Sequence, residues 1–176
     1  MKRHLNEIKR ADMINFTKGY SDARYKRRLN YSGKISHKVG PQELMETGNF
    51  SLLFDVGDYK AIVELKGMKR FIINQLKENK ASRLTVRNLL IKALDNLDLG
   101  VYCTCADFTY RFHYLVSVED SLPLGIPVQL IPAVKTNPYN QGFLCKHLTA
   151  ILTSPSKWIP KATTLLREAI LEMRGD

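Results

Sequence analysis

Only three cysteines occur in these 176 residues, so the chain can close at most one disulfide, which would leave an odd thiol. No apolar run approaches the ~20 residues of a membrane-spanning helix. The opening MKRHLNEIKRADM also lacks a hydrophobic stretch followed by a small-residue cleavage site. A soluble, unprocessed protein with no membrane partner is expected. Internal repeats and low-complexity tracts are absent. So are a phosphate-cradling glycine loop, a nucleophile-elbow serine and an HExxH helix. Asp95 and Asp98 close a helix whose apolar stripe is core, and no carboxylate cluster suits two-metal nuclease chemistry. The expectation is a protein that is not an enzyme.

Acidic residues are scarce at one end. Residues 1–40 hold 11 Lys and Arg against 3 Asp and Glu, a net of +8, and residues 41–176 hold 16 against 14, a net of +2. Tyr20, Tyr25 and Tyr31 are interleaved with this charge in GYSDARYKRRLNYSGK. Cations release counterions from phosphates and tyrosine rings stack on bases, so the segment suits a polyanion. A solvated or partner-bound extension accounts for it equally well. Either way, the candidate contact residues are Arg24, Tyr25, Lys26, Arg27, Arg28, Tyr31, Lys34 and Lys38.

What is present besides charge is enough apolar content, 44%, to fill one core of ordinary size. Three segments emerge. Residues 1–49 read as a basic N-terminal arm: Leu5, Ile8 and the stretch Asp12 to Phe16 allow a short amphipathic helix, and residues 17–49 show no sustained period. Such an arm is expected to order against a partner. Residues 50–98 begin with FSLLFDV and YKAIVEL joined by Gly57-Asp58, which predicts a β-hairpin. MKRFIINQL and TVRNLLIKALDNL follow with helical spacing, the second capped by Ser82 or Thr85 and burying Val86, Leu89, Leu90, Ala93, Leu94 and Leu97.

Residues 99–176 hold all three cysteines. LGVYCTC reads as a strand running into a turn, DFTYRFHYLV as a short helix or extended piece, and SLPLGIPVQLIPAVKTNPYNQG, with four prolines, as a loop. FLCKHLTAILT opens a helix. A final amphipathic helix follows, with Ser154 or Ser156 as cap, Pro160 in its first turns and Gly175 at its end.

Cys103 and Cys105, two apart on a strand, point their sulfurs to one side. Cys145 and His147, separated from Cys105 by 39 residues, would diverge by roughly 200° on a regular helix. They converge best where Cys145 precedes the first turn and His147 lies just inside it, a place that also favours a thiolate. Three cysteines and one histidine complete a tetrahedral zinc shell, leaving no position for water or substrate, which describes a structural ion. Two other readings stand beside it: three buried apolar thiols, or a disulfide from Cys103 or Cys105 to Cys145. Cys145 with His147 also superficially matches a nucleophile and its base, although the pair is better explained as two ligands. His113 is a candidate neighbour of the metal or a substitute ligand. Asp107 either caps DFTYRFHY or supports His147. Phe108, Phe112 and Tyr114 fit a core around the metal, and Tyr110 and Arg111 either pack or reach a phosphate or a partner.

Cys-x-Cys followed by an insertion and Cys-x-His, here CTC at 103–105 and CKH at 145–147, resembles the SWIM zinc finger. The stretches CTCADFTYRFHY and NPYNQGFLCKHL also resemble a group of SWIM-like proteins of tailed bacteriophages. The resemblance covers about residues 99–153, and the insertion is longer than in many SWIM members. It implies one structural Zn²⁺ on Cys103, Cys105, Cys145 and His147, and an association with DNA binding and protein interaction. Phage proteins of this type also occur among virion and assembly genes. The combined expectation is an α+β fold: a β-hairpin plus helices, a zinc-stapled strand and helix unit, and a basic extended N-terminal arm. The function expected is that of a virion or assembly component, a homo-oligomer or ring, whose arm touches neighbouring phage structural proteins or DNA in the virion or host cytoplasm. The alternative is a free nucleic-acid-binding module serving replication or transcription.

Overall fold

Gly57 takes φ +63°, a left-handed conformation that costs glycine little, and with Asp58 it reverses the chain between β2 (Phe50–Val56) and β3 (Tyr59–Leu65). The two strands pair antiparallel from Val56↔Tyr59 to Phe50↔Leu65, which is the hairpin expected from the sequence. The computed structural model describes residues 9–18, 34–37, 41–76, 81–139 and 142–175. Within them the hairpin is the centre of a four-stranded antiparallel sheet in the order β1-β2-β3-β4, completed by β1 (Ile35–His37) and β4 (Leu99–Cys103).

Strand alternation divides the sheet into two faces. On one lie Phe50, Leu52 and Phe54 of β2, in register with Leu65, Val63 and Ala61 of β3 and then with Leu99, Val101 and Cys103 of β4. All of these are buried. The helical layer meets this face where Phe54 sits edge-on to Trp158, ring centres 5.4 Å apart. That layer includes α4 (Arg83–Asn96) packed on α7 (Ile159–Arg174), with α1 (Arg10–Lys18) against α4 and α6 (Lys146–Thr153), α2 (Pro41–Thr47) against α7, and α3 (Met68–Leu76) against α4 and α2. Ser82 caps α4 by accepting from Thr85 N at 3.1 Å, and Val86, Leu89, Leu90, Ala93 and Leu94 form its buried stripe. The fold is α+β.

Two local expectations are corrected. The segment 1–49 is expected to be an extended arm that orders against a partner, with no sustained period over 17–49; instead β1 and α2 lie within 17–49, and Met13 of α1 and Leu44 of α2 are fully buried in the chain's own core. Each anchor contributes about 2 kcal/mol of burial, and helices this short offer too few turns for a sustained period in the sequence. Neither Ser154 nor Ser156 caps α7. A 3₁₀ turn at Pro155–Lys157 intervenes and Trp158 holds the cap position without a side-chain cap bond. Its indole is instead fully buried, with Nε1 donating to Ile151 O at 2.9 Å. Pro160 does stand in the first turn of α7, and Gly175 ends it at φ +76°.

The opposite face of the sheet carries the proline-rich segment. Gly100 lies under it: a Cβ there would sit 2.9 Å from Pro123 N and 3.0 Å from Leu122 O. Val101 N donates to Ser121 O at 2.8 Å. Beside Gly100 in the register is Glu64, a buried carboxylate that accepts from Leu124 N at 3.2 Å and from Ser51 Oγ at 3.0 Å. Burial raises the Glu64 pKa above its ordinary value, against the opposing pull of the Leu124 and Ser51 bonds and of Lys66. Lys66 Nζ in turn donates to Asp120 O. Further along, Gln129 N donates to Ser117 Oγ at 2.9 Å and Asn137 Nδ2 to Arg111 O at 3.2 Å. The loop is irregular, yet it is fixed at many points.

Candidate metal centre

β4 ends on the core face at Cys103, and the chain bends so that Cys105 follows on the same side. Thr104 between them turns outward to the hairpin, where Thr104 N donates to Lys60 O at 2.9 Å and Lys60 N donates to Thr104 Oγ1 at 3.0 Å. After Asp107 comes a π-helical turn, Phe108–Phe112, running directly into α5 (His113–Val118). Such widened turns are rare and gather at functional sites. This one aims Phe108 N at the Cys105 sulfur, 3.3 Å away. From the other end of the loop, Cys145 occupies the N-cap of α6 with extended backbone, φ −68° and ψ 167°, and His147 lies in the first turn. This is the turn-to-helix arrangement expected from the Cys-x-His spacing.

The four side chains converge. Their ligand atoms all lie within 4.8 Å of one another and all four residues are buried. His147 Nδ1 stands 3.7 Å from Cys103 Sγ and 3.9 Å from Cys145 Sγ. A thiolate and an imidazole sharing one tetrahedral zinc, at ~2.3 and ~2.0 Å, would be roughly 3.6 Å apart. The cluster can therefore hold one metal ion, and its donor set and spacing are consistent with zinc. All three cysteines are free, so the disulfide reading is set aside.

Taken as thiols alone, the sulfurs share charge unequally. Hydrogen bonds from Cys103 and then Cys145 hold the Cys105 thiol far below the usual range. The bond with Cys105 pushes Cys103 up to about 12, and burial pushes Cys145 well above the ordinary thiol value. Without a cation, burial and mutual proximity oppose ionising all three thiols together. A divalent cation neutralises two thiolate charges and draws in the third as a ligand, so metal binding here displaces protons, and the N-terminal end of α6 adds favourable potential at Cys145.

The other sequence candidates fall elsewhere. His113 is not in the cluster: its Nε2 lies 2.9 Å from Pro127 O, and its ring meets Tyr102 and Phe108. Asp107 makes no side-chain cap bond and pairs instead with Arg111, Oδ1 to Nη1 3.5 Å. With its side chain 13% exposed, Arg111 is held inside the structure, whereas Tyr110 projects to solvent. Phe108 and Phe112 are fully buried and Tyr114 is partly so. Of the basic-segment candidates, Lys34 is exposed and 3.6 Å from Asp55, and Arg24, Tyr25, Lys26, Arg27, Arg28, Tyr31 and Lys38 lie outside the described residues.

One neighbour of the centre escaped the sequence reading. Tyr59 packs on the His147 ring, centroids 4.8 Å apart and planes tilted by 41°. The signal for it was the hairpin phase: Tyr59 is two residues before Ala61, which pairs with Cys103, so its ring continues the face that ends at the cysteines.

No protein-family model matches the chain, and neither the curated proteins nor the solved structures contain a match. Among the described residues no helix is long and apolar enough to cross a membrane.

Proposed function

We propose that the chain is a zinc-stapled, non-catalytic structural subunit that docks on other proteins, as a SWIM-like component of a tailed-phage particle or of its assembly machinery. The observation that carries the reading is the surface of the proline-rich loop. Leu124, Val128, Leu130, Ile131, Val134 and Tyr139 are exposed by 61% at Val128 to 81% at Tyr139. From Ser121 to Tyr139 the only charged residue is Lys135. Apolar surface that is concentrated in one segment and poor in charge marks a protein contact, and it is unsuited to phosphates.

Zinc on Cys103, Cys105, Cys145 and His147 gives this surface its stiffness. The ion would tie both ends of the segment between Cys105 and Cys145 to one point, and hydrogen bonds to Glu64, Ser117, Arg111 and His113 fix the path between them. A segment ordered before contact loses little conformational entropy on binding. Four protein ligands saturate a tetrahedral ion, so its role is to hold the fold. The basic segment of residues 1–40 then contacts neighbouring subunits or packaged DNA, in the virion or in the host cytoplasm where it is assembled. That segment's charge also favours a second reading, the free nucleic-acid-binding module.

Native mass spectrometry of purified particles and of the recombinant chain, with zinc quantified in both, tests the proposal. A fixed copy number in particles and one zinc per chain are expected. Absence from particles, together with a zinc-loaded monomer or dimer that binds DNA in a salt-dependent way, would transfer the function to the nucleic-acid module.

A further inference from the structure

Three of the four ligand side chains are sealed from solvent: Cys103 and Cys145 are 0% exposed and Cys105 is 2%. His147, at 4%, is the least enclosed of the set. Its Nδ1 faces the sulfurs of Cys103 and Cys145, and the tyrosine ring at the tip of the hairpin leans on the imidazole, 4.8 Å between centres. That ring is itself 39% exposed, so it stands between the imidazole and water.

The ring is also held in place. Tyr59 follows the Gly57-Asp58 turn and pairs with Val56 across the hairpin. Its neighbour Lys60 exchanges backbone and hydroxyl bonds with Thr104, the residue between two of the ligands. The hairpin tip and the Cys-x-Cys turn are therefore tied to each other, and the ring beside His147 is registered against the cluster through the strand pairing and through this tie. The Lys60 ammonium bonds Asp55 on the opposite strand, which ties the tip across its own width.

We infer that Tyr59 is the gate of the metal centre, a positioning residue whose ring keeps His147 aimed at the ion and sets the rate at which the ion exchanges with solution. This rests on the zinc reading above. An ion leaves a saturated tetrahedral site when a competing ligand reaches it as one protein ligand swings away. All four ligands are buried, the three sulfurs most deeply, so the imidazole side is the shortest route in, and the hairpin tip covers it. The phenol hydroxyl has no part in this; the ring face does.

The test uses the full chain loaded with zinc, its stoichiometry measured first, then mixed with a large excess of a chromogenic chelator. Trp158, the sole tryptophan and fully buried, reports global unfolding in the same samples by fluorescence. Tyr59→Ala should speed zinc transfer about tenfold, the low end of the effect of removing outer support from a metal ligand. Tyr59→Phe should match the wild type, and in every variant zinc should leave before the Trp158 signal changes. Tyr59→Leu replaces the alanine variant if that one does not fold. Equal release rates for wild type and the ring-deleted variant overturn the gate. So does an acceleration that merely tracks faster unfolding at Trp158. A wild-type chain that takes up no zinc overturns the gate together with the metal assignment, and the stoichiometry measured at the start distinguishes that failure from the others.

Discussion

Thr104 and Lys60 hold each other from both sides: Thr104 N donates to Lys60 O at 2.9 Å, and Lys60 N donates to Thr104 Oγ1 at 3.0 Å. Because successive residues of an extended chain face opposite ways, fixing the middle residue of Cys-Thr-Cys outward fixes the two sulfurs inward. The hairpin thus backs the four-residue cluster that can hold a metal ion, and the loop between Cys105 and Cys145 starts from a point tied to the sheet.

Cys105→Ala or His147→Ala should abolish zinc retention and lower the melting temperature in zinc-containing buffer. The loss should be several kcal/mol, below the ~10 kcal/mol characteristic of isolated finger peptides, because a core already exists. Excess chelator should bring the wild type down to the level of the variants and leave the variants unchanged. Melting curves with and without chelator, with metal content measured by mass spectrometry, check this; unchanged melting and metal content in both variants would sink the assignment.

Gly100→Ala should displace the loop. The added methyl meets backbone, Pro123 N at 2.9 Å and Leu122 O at 3.0 Å, and backbone yields less readily than the end of a side chain. A cost of about 1–3 kcal/mol is expected, the usual range for overpacking. Denaturant titration should show it, with zinc stoichiometry unaffected and faster proteolysis between Leu122 and Tyr139. If stability and proteolysis match the wild type, the loop does not bear on Gly100.

The centre was legible in the sequence for a physical reason: tetrahedral coordination restricts both residue type and spacing, and Cys103, Cys105, Cys145 and His147 satisfy both. The hairpin was legible because Gly57 and Asp58 stand between two apolar runs, and α4 because its stripe repeats over three turns. What stayed hidden depends on partners distant in the chain. Leu44 is the one fully buried anchor of a two-turn helix, Glu64 looks like an ordinary strand carboxylate until Leu124 crosses it, and Tyr59 gains its meaning only from the register of three strands. The capping serines proposed for α7 failed because local rules cannot see that Trp158 is claimed by Phe54 and Ile151.

Glu64→Gln should change how stability responds to pH. Burial raises the folded-state pKa of Glu64 above the ordinary 4.5, so the folded chain keeps this proton at pH values where the unfolded chain has released it. The stability this group contributes is full below 4.5 and is lost as pH rises through the raised value. Glutamine keeps an acceptor for Leu124 N and cannot ionise. The difference in melting temperature, wild type minus variant, should therefore fall as pH climbs from 4.5 toward neutrality, and taking the difference cancels the pH dependence of metal binding common to both. A flat difference across that window would show that Glu64 ionises as freely when folded as when unfolded.

Leu130→Asp and Ile131→Asp test the proposed docking surface. Both side chains face solvent, at 76% and 73% exposure, so a carboxylate at either place stays hydrated in the free chain and should alter its stability by no more than about 0.5 kcal/mol. Contact with a protein partner changes the balance. The same carboxylate would then be buried against apolar surface without a cation, at a cost of roughly 3–5 kcal/mol, which is a hundredfold or more in affinity. Ile131 also lines a shallow cavity of about 260 Å³ with Tyr110 and Tyr114, so its substitution should be the more damaging of the two. Incorporation into particles, or association with co-expressed particle proteins, should be lost in both variants while melting temperature and zinc content hold. Salt-dependent DNA binding should be untouched, because the charge that would serve it lies in residues 1–40 and not on this loop. Normal incorporation of both aspartate variants would detach the assembly function from the loop and leave the basic segment as its only remaining support.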